Sequence, residues 1–405
     1  MNDAAKTAPA AGRKPVPRGI ARSGPAILSY GFRPFFLLAA LFALLSMIAW
    51  IGALALGWGI GGDYGALNWH AHELLFGYAS AALAGFMLTA IPNWTGRLPV
   101  SGLPLLGLVT LWLLGRVAMA VPLFGLPVSA LVDAAFLPLL AIIAGIEIVA
   151  GKNWKNLKIL AGLTALSFAN LAFHASVIFN GAAMEASRAA VGIYIMLIVV
   201  VGGRIVPSFT RNWLVRRGET RLPAPFGRFD TVAIVGLLAA LILWVALRDG
   251  LPTALGALAA AALQALRLLR WRGWRTVDEP ILLALHIGYG FVALGMLAVA
   301  CAALGWIADA SALHVLTVGA IGGMTFAVMT RASLGHTGRT IVASGPTSMG
   351  YLCLLLAAVL RPFAELIPTQ YHTLLGLAGT CWIVAFAIFV VEYGPMLMSR
   401  RNKAD

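Results

Sequence analysis

The chain has 405 residues, of which 60% are hydrophobic and only 11% charged, with a mean hydropathy of +0.90. A soluble domain carries about 25% charged residues, so this chain cannot cover its surface in water, and soluble, disordered, coiled-coil and disulfide-scaffold classes are excluded. The net charge of +14 then speaks of orientation and anionic lipid rather than of nucleic acid, which is not expected as a partner.

Residues 1–25 are basic and rich in Pro, Gly and Ala, and read as a disordered cytoplasmic tail without a cleavable signal. Residues 26–398 read as one transmembrane domain, and 399–405 as a cytoplasmic C-terminal tail. A spanning helix needs about 20 mostly apolar residues. Twelve runs meet that length: 34–57, 70–91, 102–120, 126–150, 157–180, 188–210, 229–247, 251–270, 278–304, 311–335, 344–363 and 370–397. Their length predicts helices, so the fold class is an all-α membrane protein of twelve transmembrane helices in a lipid bilayer. Lysine and arginine number 24 on the N-terminal tail, even-numbered connections and C-terminus, against 3 on the odd-numbered side. Both termini are therefore expected in the cytoplasm.

Spans 2 and 10 align without a gap at an offset of 242. His72 falls on His314, Gly77 on Gly319, and Thr95-Gly96-Arg97 on Thr337-Gly338-Arg339. Span 6 aligns less well at an offset of 115, with Gly77 on Gly192 and Pro92 on Pro207, but His72 on Ser187. The three related spans lie four helices apart. This spacing predicts three parallel four-helix repeats in a pseudo-threefold arrangement. The small-residue stripes read as packing faces where backbones approach closely.

Five of the seven histidines fall toward the outer side: His70, His72, His174, His314 and His372. Ionisable groups at membrane depth are functional candidates. His72 and His314 come from equivalent positions of two repeats, so a planar ligand held by two imidazoles fits between them. Interfacial histidines solvated by headgroups are the alternative. His70 and His72 point about 200° apart on a helix, so His70 can aim elsewhere. His70, His174 and His372 form a candidate set for copper, which imidazole suits. Arg116 and Asp133 sit at similar depth across a short connection and read as an ion pair, with Arg116 as a propionate anchor in the other reading. Glu73 can fix the tautomer of a neighbouring imidazole. Arg204, before Pro207, reads as capping a broken helix. The three cysteines, Cys301, Cys353 and Cys381, read as packing residues.

The segment NWHAHELLFGYASAALAGFMLTAIPNWTGR at 68–97 resembles the NnrS family signature. So do GFRPFF at 31–36, KNWKNL at 152–157, VGGRIVPSFTRNW at 201–213 and SALHVLTVGAIGGMTFAVMTRASLGHTGR at 311–339. The resemblance implies a bacterial inner-membrane protein containing b-type haem and copper, linked to nitric oxide, denitrification and nitrosative stress. Redox activity with nitric oxide or electron relay is the activity that fits, and the ionisable residues His72, His314, His70, Arg116 and Glu73 are the candidates around haem. His72, His314, His70, His174 and His372 are the metal candidates. A fainter similarity is to haem–copper oxidase core subunits, whose twelve spans form three arcs. It departs in span 6, which carries no histidine. The alternative class is a multi-pass transporter without a redox cofactor, favoured by parallel repeats and the buried Asp133, Glu147 and Arg204.

Overall fold

The computed structural model describes residues 24–121 and 125–400. The expected N-terminal tail, Gly24 and Pro25 apart, lies outside the described residues, as do 401–405 of the C-terminal tail. Every regular element among the described residues is helical, and twelve helices are long and apolar enough to cross a membrane. They are Phe32–Leu56, Ala66–Thr95, Leu103–Ala120, Leu126–Ala150, Trp154–Asn180, Met184–Arg216, Arg228–Leu247, Leu251–Leu269, Pro280–Ala303, Asp309–Thr337, Gly345–Leu366 and Pro368–Met398, here spans 1 to 12. The chain is thus an all-helical, multi-pass membrane protein.

The spans agree with the apolar runs and in several cases overrun them. Span 6 begins at Met184 and continues to Arg216. Its polar ends pass beyond hydrocarbon, where water and headgroups can serve side chains. It stays α-helical through Pro207, so the break expected near Arg204 is absent. Arg204 instead donates to Asn156 Oδ1.

Glycine explains the shared Thr-Gly-Arg. Gly96 and Gly338 take φ of 73° and 78° immediately after spans 2 and 10. That left-handed conformation ends a helix cheaply only without a Cβ. The small-residue stripes pack as expected, and in parallel fashion. Gly77 and Gly85 of span 2 lie against Phe42 and Phe36 of span 1, and Gly319 and Gly323 of span 10 against Phe291 and Gly288 of span 9.

Span 2 is the most enclosed helix, with 83% of its apolar window buried, followed by span 6 at 61%, whereas span 7 is 33% buried. Spans 2 and 6 are thus central and span 7 faces lipid. The last span closes on the first, where the Trp382 indole donates to the Ala43 carbonyl. Leucine, valine and isoleucine side chains cover the perimeter. In a bilayer that exposure carries no penalty, because lipid tails are as apolar as the side chains.

Candidate functional site

Spans 2 and 10 share a local irregularity. Span 2 runs as α-helix over Ala66–His72, as π-helix over Glu73–Ala79 and again as α-helix over Ser80–Thr95. Span 10 runs as α-helix over Asp309–His314, π-helix over Val315–Gly322 and α-helix over Gly323–Thr337. The two π-helices begin 242 residues apart, immediately after His72 and His314. Such segments are rare and cluster at functional sites. Span 6 has none.

The first π-helix sets His72 into a buried ionic group contributed by spans 2 to 5. His72 Nδ1 lies 2.8 Å from Glu73 Oε1. A carboxylate only accepts, so this nitrogen carries the proton. Glu73 Oε2 takes a 2.6 Å bond from Arg116, and Arg116 also contacts Asp133. Asp133 Oδ2 accepts from Asn170 Nδ2 at 2.9 Å and lies 2.9 Å from His174 Nε2 and 3.2 Å from His72 Nε2. Tyr64, in the connection before span 2, meets His174 Nδ1 at 3.1 Å. Burial holds its phenol well above the ordinary value. It remains a neutral hydroxyl, able to donate or accept as the imidazole requires.

The charges in this group do not balance with both imidazoles neutral. Glu73 and Asp133 supply two negative charges against one from Arg116, and all of these side chains are buried. Moreover, His72 Nε2 faces two acceptors, Asn170 Oδ1 at 3.1 Å and Asp133 Oδ2. An unprotonated nitrogen there would repel both. The place calls for a cation, either a proton on Nε2 or a metal ion. Ligand atoms of His72, Asp133 and His174 lie within 4.8 Å of one another, the one such buried group among the described residues. Metal–ligand bonds of about 2.0–2.2 Å bring neighbouring ligands to about 3 Å. The group is therefore compatible with metal binding.

His70 and His314 form a second, different pairing. On the opposite face of the same short helix from His72, His70 stacks on Trp50 of span 1, with ring centroids 4.2 Å apart. It lies within electrostatic range of His314 and of Arg361 in span 11. His70 Nδ1 is buried with no hydrogen-bond partner. His314 Nδ1 donates to the Ala310 carbonyl at 2.6 Å. That bond leaves Nε2 as the lone-pair nitrogen. Spans 2 and 10 thus each carry, just before the π-helix, an imidazole with a ring nitrogen that no hydrogen bond among the described residues engages.

Several expectations are redrawn by this geometry. His72 is committed to Glu73, Asp133 and Asn170 of spans 2, 4 and 5, and His314 to the Ala310 carbonyl, so no contact among the described residues brings the two together. His70, His174 and His372 are not brought together, since His174 turns to Asp133 while His372 opens span 12 against Tyr371. Arg116 is committed to two carboxylates rather than left for a propionate. Tyr64, Asn170 and Trp50 joined the site without having been singled out, and Asp133 joined it as a ligand candidate as well as an ion-pair partner. One signal was available: Asn170 and His174 are four apart and share a helix face. His286 and His336 lie elsewhere, His286 against Thr210 and His336 against Tyr30 and Phe32.

The family profile described as NnrS protein matches residues 26–401, nearly the whole chain. The chain belongs to the NnrS family. No curated protein matches it. Membership agrees with a nitric-oxide-related role for a membrane protein carrying a buried His-Asp-His group.

Proposed function

We propose that this NnrS protein is a haem- and copper-binding protein of the bacterial inner membrane acting in nitric oxide metabolism, including denitrification, or in defence against nitrosative stress. His70 and His314 would hold a b-type haem near the outer face, and His72, Asp133 and His174 would hold copper. The observation that carries the reading is that His70 and His314, from the equivalent ends of spans 2 and 10 and within electrostatic range of each other, each keep a ring nitrogen free of hydrogen bonds among the described residues, while the neighbouring ionisable groups are paired. The His70 ring, whose Nδ1 has no partner among the described residues, suits metal ligation. So does His314, whose other nitrogen is anchored on a backbone carbonyl.

Bound haem and copper would supply one-electron redox chemistry and open or exchangeable sites for a diatomic ligand. The chain's own contribution is positioning. Trp50 fixes the plane of the His70 ring. Glu73 keeps the His72 proton on Nδ1, so Nε2 faces the metal position. Arg116 holds Glu73 and Asp133 in place, and Arg361 supplies positive charge near His70 and His314. In this reading haem and copper would take two separate sets of residues, both on the side opposite the arginine-rich connections.

The test is an optical spectrum with metal analysis of the purified protein. A reduced b-type band is expected, lost or converted to a five-coordinate form in His70→Ala and His314→Ala. His72→Ala and His174→Ala are expected to lose copper and keep haem. A folded but colourless protein would remove haem from the reading.

A further inference from the structure

Spans 2, 6 and 10 meet around a cavity of about 80 Å³. Fifteen of its seventeen lining residues fall into five sets of three, related by the offsets of 115 and 242 that relate the repeats. Phe86 corresponds to Val201 and Val328, and all three line the cavity. Met87 corresponds to Gly202 and Met329, and again all three do. Ala79, Ala82 and Leu83 each bring both counterparts as well. These five positions step by three, one, three and one, which is a single face of a helix. Each repeat therefore turns the same face inward, and the cavity lies on their common axis.

The lining is almost wholly apolar. Its two hydroxyl donors are already engaged. Tyr194 donates to the Leu75 carbonyl at 2.7 Å, and Thr325 to the Ile321 carbonyl at 2.6 Å. A buried water needs two to four polar partners, and apolar cavities larger than this one stay dry while binding xenon or benzene. Water's share of liquid volume is about 30 Å³, so the space suits one or two molecules of that size. None of the lining residues is fully exposed, but seven of them, Phe86, Val201 and Val328 included, are partly accessible, so the cavity is a half-open pocket rather than a sealed void. Leu75, where Tyr194 ties off the outer end, belongs to the π-helix that begins just after His72.

We propose that the axial cavity is a binding site for a small, uncharged, apolar gas molecule of the nitric oxide class, held at mid-membrane beneath the outer metal groups. A neutral diatomic makes no hydrogen-bond demand that this lining would fail to meet, whereas water and ions do. The identity of the gas rests on the nitric oxide reading above. The cavity's affinity for an apolar gas does not.

Xenon is the probe. Crystals of the full-length protein under xenon pressure are expected to show xenon between Phe86, Val201 and Val328. The peak should be lost in Val328→Phe and in Val201→Phe, each filling the axis from a different span, with the optical spectrum unchanged. Absence of xenon in the unaltered protein, or an ordered acyl chain or water in its place, would overturn the inference. So would xenon that persists in both filled variants. Nitric oxide binding to haem without xenon on the axis sinks the cavity site alone. Xenon on the axis of a protein that takes up no haem sinks the functional reading alone.

Discussion

Arg116 decides the character of the ionic group in which it sits. It is the one cation touching two buried carboxylates, Glu73 and Asp133. Its ring neighbours, Phe42 and Trp112, lie 5.6 and 5.7 Å from the guanidinium carbon. They exclude water and add cation–π attraction. Desolvating an ion pair is expensive, and removing one partner leaves an uncompensated charge, at a cost of about 3–5 kcal/mol. Arg116→Ala leaves two such charges around His72. We expect it to lower the yield of folded protein and the thermal midpoint sharply. Glu73→Gln in the same chain should restore part of that loss, because it removes one stranded charge. A double variant no more stable than the single would show that Arg116 acts through packing on Phe42 and Trp112 instead.

At the scale of the element, two π-helices interrupt spans 2 and 10 immediately after His72 and His314. An α-helix advances about 100° per residue, and a helical wheel drawn at that angle fails once the turn widens. This is why the spans are legible in the sequence while the site is only half so. Long apolar runs and the charge alternation identify twelve helices. Adjacent His72 and Glu73, and Arg116 beside Asp133 across a hairpin, give their pairing directly. The direction of His72 relative to the body of span 2 depends on a widening that no residue type announces. The meeting of Asp133 with His174 depends on how spans 4 and 5 lean together. Deleting Leu74 would test the element's role. The loss of one residue should return the π-segment toward α-helix and rotate Ala66–Glu73 by about 100° relative to Ser80–Thr95. We expect a protein that keeps its helical content by circular dichroism but loses both haem and copper. Retention of both cofactors in the deletion variant would show that the π-helix is incidental to the site.

For the whole molecule, the candidate metal-binding group and the basic connections occupy opposite faces. His70, His72, His174, His314 and their carboxylates gather where spans 2, 5 and 10 end on one side. Arg97, Lys152 to Lys158, Arg211 to Arg228 and Arg331 to Arg339 follow the opposite ends. Arg33 ties those inner ends together, donating to the Leu397 carbonyl at 2.8 Å and linking the first span to the last. Lysine and arginine in short loops resist translocation, so the basic face is expected in the cytoplasm and the histidine-carboxylate group toward the outside. The two faces can be told apart without any cofactor. A single cysteine at Asp63, in a chain freed of its native cysteines, should react with a membrane-impermeant maleimide added to intact spheroplasts. One at Arg221 should react only after the membrane is opened. A C-terminal phosphatase fusion, active only outside the cytoplasm, should be silent. The reverse labelling pattern would place His70 and His314 on the cytoplasmic side. The proposed outer location of any haem or copper would then be lost even with every proposed ligand assignment intact.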